Sequence, residues 1–230
     1  MVNLKAKVVL ITGSSIGIGR ETALKFAKEE CKIGITYYKD EEDAKEVAKK
    51  CMAIGASDTL VNQLNVMETR SITNAVNRII ERFGEISILV NNSGIVVEKH
   101  LADQSFEEIE IQVRTNLEGL IKMTKECLPH VKDTIINLSS GAGLEGYEDL
   151  TTYCATKFGV RGFTQALSKE LAQVKVYTMY PPVTATRMNN FQGVPPEAVA
   201  EVIVNIVKGK YKVKSGGDIK FWEVSHQYTN

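Results

Sequence analysis

Tyr153 and Lys157 stand four residues apart in Tyr153-Cys154-Ala155-Thr156-Lys157, at the start of an apolar, helix-compatible run. On a helix that spacing puts both side chains on one face about one turn apart, so an ammonium can sit beside a phenol. A free phenol has a pKa of ~10, and a neighbouring cation favours its ionised form, moving it towards the range useful for general acid-base catalysis. Alone, the pair is equally an ordinary surface Tyr and Lys on a helix. The elements that position it have to decide between the two.

Residues 7–12 form a continuous apolar run of the kind that suits a central parallel strand covered on both faces. The run enters Gly13-Ser14-Ser15-Ile16-Gly17-Ile18-Gly19, and residues 21–30 read as a helix. Strand, glycine-rich turn and helix place a diphosphate on the positive end of the helix. The spacing is G-x-x-x-G-x-G, not G-x-G-x-x-G, and no G-K-S/T follows to make a P-loop. Packing alone is the other use of such a turn.

A second strand is expected at 32–37 and a helix at about 41–54. The end of that strand is where a dinucleotide fold reads the adenosine ribose, with a carboxylate for NAD or a cation for the 2′-phosphate of NADP. Tyr37-Tyr38-Lys39 offers no acid at Tyr37 and a base two residues on, which leans towards NADP(H) over NAD(H). Asp40, Glu41 and Glu42 keep open a reading of Lys39 as the solvated start of a charged helix.

The alternation continues with a strand at 59–63 and a helix at 71–83 carrying a stripe of Ile72, Val76, Ile79 and Ile80. A strand at 86–90 ends in Asn91-Asn92-Ser93-Gly94, a tight turn suited to the edge of a ligand crevice. Ser105-Phe106-Glu107-Glu108 has the form of a capping box and opens a long helix through Asn116 to about Cys127. A mid-helix asparagine needs a partner for its amide, so Asn116 is either exposed or employed. Strands at 134–138 and 175–180 follow, the first running into Ser139-Ser140-Gly141 and the second into Pro181-Pro182-Val183-Thr184-Ala185-Thr186. A helix opens at Pro195-Pro196 and stops near Lys208-Gly209, and a last strand is expected at 219–224. The pattern predicts one α/β domain over 1–230, a doubly wound (Rossmann) parallel sheet of about seven strands with helices on both faces.

Twenty-eight basic and 28 acidic residues balance, so no charge excess points to nucleic acid or a membrane surface. Apolar runs are strand-length, far short of the ~20 residues of a membrane span, and no signal peptide is legible, which makes a cytoplasmic protein the expectation. Cys31, Cys51, Cys127 and Cys154, and His100, His130 and His226, are scattered; neither a metal site nor a disulfide framework is indicated.

Five signals occur together: Thr12-Gly13-x3-Gly17-x-Gly19, Asn91-Asn92-Ser93-Gly94, Asn116, Ser140, and Tyr153-x3-Lys157. In this order the chain resembles the short-chain dehydrogenase/reductase family over nearly its whole length. The resemblance implies an oxidoreductase moving a hydride between a nicotinamide cofactor and a carbonyl or alcohol. A 3-oxoacyl thioester, a sugar or a secondary alcohol would be the substrate. Tyr153 would be general acid in reduction and base in oxidation, and Lys157 would lower its pKa and bind the nicotinamide ribose. Ser140, thirteen residues before the tyrosine, would hold the substrate oxygen, and Asn116 a water linked to Lys157.

Gly13, Ser15, Ile16, Ile18, Asn92, Ser93 and Gly94 would lie against the cofactor, Gly17 and Gly19 would keep its diphosphate turn open, and Tyr37, Lys39, Asn65 and Val66 would meet its adenosine. Pro181, Val183 and Thr186 would face the nicotinamide, under a loop at 184–194 with Met188, Asn189, Asn190, Phe191 and Gln192 that closes over a small substrate. Departures from the family pattern are Ser93 for alanine, Asn65 for aspartate, Pro182 for glycine, and Ile16 where many NADP-dependent members carry a base. The family also suggests a homodimer or homotetramer formed through the helices around Asn116 and Tyr153. A dinucleotide-binding redox sensor or scaffold without turnover is the alternative.

Overall fold

The computed structural model describes residues 2–225, which leaves His226 outside the described residues. Seven parallel strands form one sheet in the order β3-β2-β1-β4-β5-β6-β7. They are β1 (Val8–Ile11), β2 (Lys32–Tyr37), β3 (Asp58–Gln63), β4 (Ile86–Asn91), β5 (Val131–Leu138), β6 (Lys175–Tyr180) and β7 (Asp218–Lys220). The chain builds outwards from β1 to β3, then returns to lay β4 on the other side of β1, so the order reverses between β1 and β4. In an open parallel sheet, ligands bind outside the strand ends at that switch point.

β1 and β4 are buried along their whole length, as a strand covered on both faces must be. Side chains alternate across the pleat. Val9, Ile11, Ile33, Ile35, Ile88 and Val90 therefore join one core cluster with Phe26 of α1 (Gly17–Ala27), Val47 of α2 (Glu41–Ile54) and Ile203 of α7 (Pro196–Val207). Val8, Leu10 and Leu89 join the other, with Ile72, Val76 and Ile79 of α3 (Thr69–Phe83), Met123 of α5 (Gly119–Cys127) and Leu167 of α6 (Thr151–Glu170). Each fully buried Ile or Phe stabilises the fold by roughly 2–3 kcal/mol. All four cysteines are buried free thiols, and burial pushes those of Cys31 and Cys51 up to about 12.

Apart from shifts of one to three residues at the starts of β3, α3 and β5, three features depart from the sequence pattern. Helix α1 begins at Gly17, inside the glycine run rather than at residue 21, and ends at Ala27 because Glu30 turns the chain with φ +58°. The last strand stops at Lys220, and Phe221–Val224 (α8) is one helical turn around a buried Phe221. Lys220 pairs with Tyr180, and the next residue of β6's chain is Pro181, which has no N–H to continue the ladder. The helix opened by Ser105 is not uniform: α4 (Phe106–Val113) passes through a single wider π turn, Arg114–Glu118, before α5. Its capping box forms as expected, Ser105 Oγ accepting from the Glu108 N–H at 3.2 Å and Glu108 Oε2 from the Ser105 N–H at 2.9 Å.

Candidate active site

At the C-terminal end of β1 the wall of the crevice is main chain. Gly13 (φ +64°) donates its N–H to Thr36 Oγ1 at 2.9 Å. Thr12 Oγ1 accepts the N–H groups of both Asn92 and Ser93 at 2.9 Å, and the Asn92 amide returns to the carbonyls of Thr12 and Gly13 at 2.9 and 3.0 Å. Helix α1 then starts at Gly17 (φ +57°) without a side-chain cap on its first amides. An uncapped helix N-terminus offers N–H donors and a partial positive charge to an anion. A Cβ on Gly19 would lie 2.3 Å from the Gly13 carbonyl oxygen and 2.6 Å from the Asn92 amide nitrogen. Gly19 is therefore needed for close packing beneath the crevice and does not line it, unlike Gly13, Ser15, Ile16, Gly17 and Ile18.

At the far end the wall is side chain. Tyr153, Lys157 and Ser140 line the same crevice, whose volume is about 1050 Å³. The Ser140 hydroxyl stands close enough to the Tyr153 hydroxyl to favour its ionised form, and Lys157 Nζ lies 5.6 Å from the centre of the Tyr153 ring. Lys157, 5% exposed, donates to the Leu138 carbonyl at 3.1 Å. Ser139 is committed elsewhere, its hydroxyl donating to the Lys157 carbonyl at 3.0 Å. Asn116 sits one layer behind, in the π turn, with its Oδ1 accepting the Ile95 N–H at 2.8 Å and its Nδ2 donating to the Ile95 carbonyl at 2.8 Å. The mid-helix asparagine is thus employed: it holds the segment after Gly94, where a Cβ would come within 3.3 Å of Asn116 Oδ1 and 3.6 Å of Lys157 Nζ.

Beneath this end a buried polar chain crosses the sheet. Asn91 Nδ2 donates to Thr124 Oγ1 at 2.9 Å and to Asn137 Oδ1 at 2.8 Å, and Asn137 Nδ2 donates to Thr164 Oγ1 at 2.9 Å. It pins α6, the helix that carries Tyr153 and Lys157, to β4 and β5.

The electrostatics reverse the simplest reading of the pair. Burial raises the Tyr153 phenol above its ordinary value, and the nearby Ser140 hydroxyl only partly opposes this. Burial also lowers the Lys157 ammonium to about 8, so its positive charge is held less firmly near neutral pH than that of a free lysine. In the chain by itself, proximity to Lys157 does not acidify the phenol.

Most of the residues singled out in the sequence meet at this crevice: Lys39, Asn65, Val66, Asn92, Ser93, Gly94, Pro181, Val183 and Thr186 line it. Asn65 spends its amide on Glu68, at 2.7 Å, and its carbonyl oxygen accepts the Met67 N–H at 3.1 Å. Tyr37 does not line the crevice; at the end of β2 it packs against the first core cluster, with Glu41 beside its hydroxyl. The pleat turns Tyr38 to the crevice instead. Residues that sequence reasoning passed over include Arg187, Trp222 and Tyr147 on the crevice wall. No local pattern marks them, because each arrives from a different part of the chain: Arg187 from the turn after β6, Trp222 from α8 and Tyr147 from the segment before α6.

The short chain dehydrogenase family profile matches residues 7–194. Uncharacterized oxidoreductase YhdF of Bacillus subtilis is 37% identical over 175 residues, 74% of this chain and 59% of that protein, so the match spans less than two thirds of its length. 3-Oxoacyl-[acyl-carrier-protein] reductase FabG of Staphylococcus aureus is 35% identical over 170 residues, 72% of this chain and 69% of the relative. A Burkholderia cenocepacia short chain dehydrogenase solved in complex with NADP superposes with a TM-score of 0.88 at 26% identity, covering 95% of this chain and 97% of the other. The chain belongs to the short-chain dehydrogenase/reductase family. Members of that family are NAD(P)-dependent oxidoreductases acting on CH–OH and C=O groups. The uncapped α1 N-terminus at one end of the crevice and a buried ammonium at the other fit the diphosphate and ribose of such a nucleotide.

Proposed function

We propose that this chain, acting as one domain over 1–230, interconverts a small carbonyl compound and its alcohol with NADP(H) in preference to NAD(H). The observation that carries the reading is the meeting of the Tyr153 and Ser140 hydroxyls in the crevice, with Lys157 Nζ 5.6 Å from the Tyr153 ring. The cofactor supplies the hydride in reduction and accepts it in oxidation. Negative charge builds on the carbonyl oxygen as reduction proceeds, and two hydroxyl donors aimed at one point stabilise it more in the transition state than before it. Tyr153 gives its proton to that oxygen, Ser140 holds the oxygen in place, and Lys157 binds the ribose and returns positive charge towards the phenolate. Asn116 keeps the 94–95 segment open beside Lys157 and positions its proton path.

The NADP(H) preference is supported by Lys39, which lines the crevice next to Tyr38 and has no carboxylate partner among the described residues. The substrate end is walled by Val96, Leu144, Leu150, Met188 and Trp222, and Glu98 and Glu145 bring carboxylates to it. Apolar walls with an anionic rim suit an uncharged ketone or secondary alcohol and disfavour phosphate-bearing acyl carriers. A 3-oxoacyl thioester is the second reading, favoured by the likeness to 3-oxoacyl-[acyl-carrier-protein] reductase FabG. Phe158, 42% exposed on α6, and Ile121, 36% exposed on α5, support a homo-oligomer through those helices. Val160 and Leu167 are instead explained by burial within one chain. No helix among the described residues is long and apolar enough to cross a membrane; a cytoplasmic enzyme is the reading we adopt.

NADPH oxidation with a panel of uncharged ketones and 3-oxoacyl thioesters tests this. Tyr153→Phe is expected to lower turnover about 10²- to 10⁴-fold with NADPH affinity nearly unchanged. Cofactor binding without turnover in the wild type would point to a redox sensor or scaffold and reject the catalytic reading.

A further inference from the structure

Arg187 opens a short 3-10 turn (Arg187–Asn189) in the loop that leaves β6, where Asn189 Oδ1 accepts the Thr186 N–H at 3.1 Å. The loop rests on the first turn of α1, since a Cβ on Gly17 would lie 3.3 Å from Thr186 Cγ2. From there the guanidinium reaches the start of α2, 3.4 Å from Asp43 Oδ2 and 3.9 Å from Asp40 Oδ2. Arg187 lines both the main crevice and a small groove between α1 and α2. The other two bases of that groove are spoken for, Arg20 by Glu21 at 2.7 Å and Lys50 by Glu46. Asp40 also lines the crevice, next in sequence to Lys39, whose ammonium stands 5.2 Å from the Tyr38 ring centre.

A 2′-phosphate held by Lys39 therefore meets the Asp40 carboxylate in the same corner, with Asp43 on the adjoining groove, and a dianion near them is repelled unless they are neutralised. We propose that Arg187 is a specificity-determining residue that acts through Asp40 and Asp43. By pairing with them from across the crevice, it makes the Lys39 corner acceptable to a phosphate. The inference rests on the dinucleotide reading of this crevice. It differs from the Lys39 assignment because it places part of the cofactor preference in the loop after β6, far in sequence from the β2 end. The pairs are half exposed, so their own contribution to stability is small. Their effect is on the local field, where a hydroxyl is indifferent and a phosphate is not.

Fluorescence titration of NADPH and NADH, with the binding constant as readout, tests the proposal. Arg187→Gln is expected to weaken NADPH about five- to tenfold and NADH less than about twofold at low salt, the gap narrowing as salt is raised. Adding Asp40→Asn and Asp43→Asn to Arg187→Gln is expected to restore NADPH binding. An unchanged NADPH-to-NADH ratio in Arg187→Gln overturns the proposal. So does a loss that persists after the carboxylates are removed, because Arg187 would then touch the phosphate itself. If the wild type binds neither nucleotide, the dinucleotide reading fails instead, and the two failures are told apart.

Discussion

Around Gly13 and Gly19 the crevice is walled by main chain, with a helix start whose amides no side chain caps. Around Tyr153 it is walled by side chains on a helix, among them a lysine kept 5% exposed. The first wall depends on what is missing: a Cβ on Gly19 has no room, and the positive φ of Gly13 and Gly17 suits no other residue well. The second depends on groups whose burial is unfavourable in itself. Substitutions at the main-chain end should act on folding and binding together, whereas those at the side-chain end should separate activity from stability.

The largest expected effect on stability is Gly19→Ala, which drives a methyl into the Gly13 carbonyl; we expect a loss of about 3 kcal/mol, read by denaturant unfolding. A variant as stable as the wild type would remove the contrast.

Lys157→Met should do the opposite, abolishing turnover while stabilising the ligand-free protein at pH 7 by about 2 kcal/mol, the net of a relieved desolvation cost and a lost bond to Leu138. The pH dependence has a definite sign. The folded-state pKa of about 8 lies below the ordinary lysine value of 10.5. Below about 8 both states carry the proton and the cost is fully present. Between about 8 and 10.5 the unfolded chain holds more protons, so wild-type stability rises with pH. The advantage of the methionine variant should therefore shrink across that window, and a constant advantage would mean that packing, not charge, is responsible.

Thr12→Val is the smallest step, removing the hydroxyl that accepts two N–H groups at nearly constant volume; a loss of about 1 kcal/mol with weaker nucleotide binding is expected. Unfolding midpoints and NADPH titration on the same sample check whether the two losses travel together.

Where local pattern and packing agree, the chain was legible. The spans 32–37, 41–54 and 175–180 are β2, α2 and β6 as read, because strand alternation and an acidic helix start are local properties. The end of the last strand was misread, since Ile219 and Phe221 look equally strand-like until β6 runs into Pro181 and the ladder has no donor. The site was legible as a set of residues and not as an electrostatic balance. Spacing places Lys157 beside Tyr153, but only burial determines that the ammonium is lowered and the phenol raised.

From the order of residues alone came the alternation of strand and helix, the glycine turn, and the pairing of Tyr153 with Lys157, because each follows from spacing and side-chain type over a few turns of chain, while Ser140 joined that pair through the family resemblance. The tertiary structure decided that Tyr38 and not Tyr37 faces the crevice, that Asn116 holds Ile95 through a π turn, and that Arg187 reaches Asp40 and Asp43. Those contacts join segments up to 147 residues apart, as between Arg187 and Asp40. No local propensity encodes them, since they exist only once the sheet has brought the strand ends together.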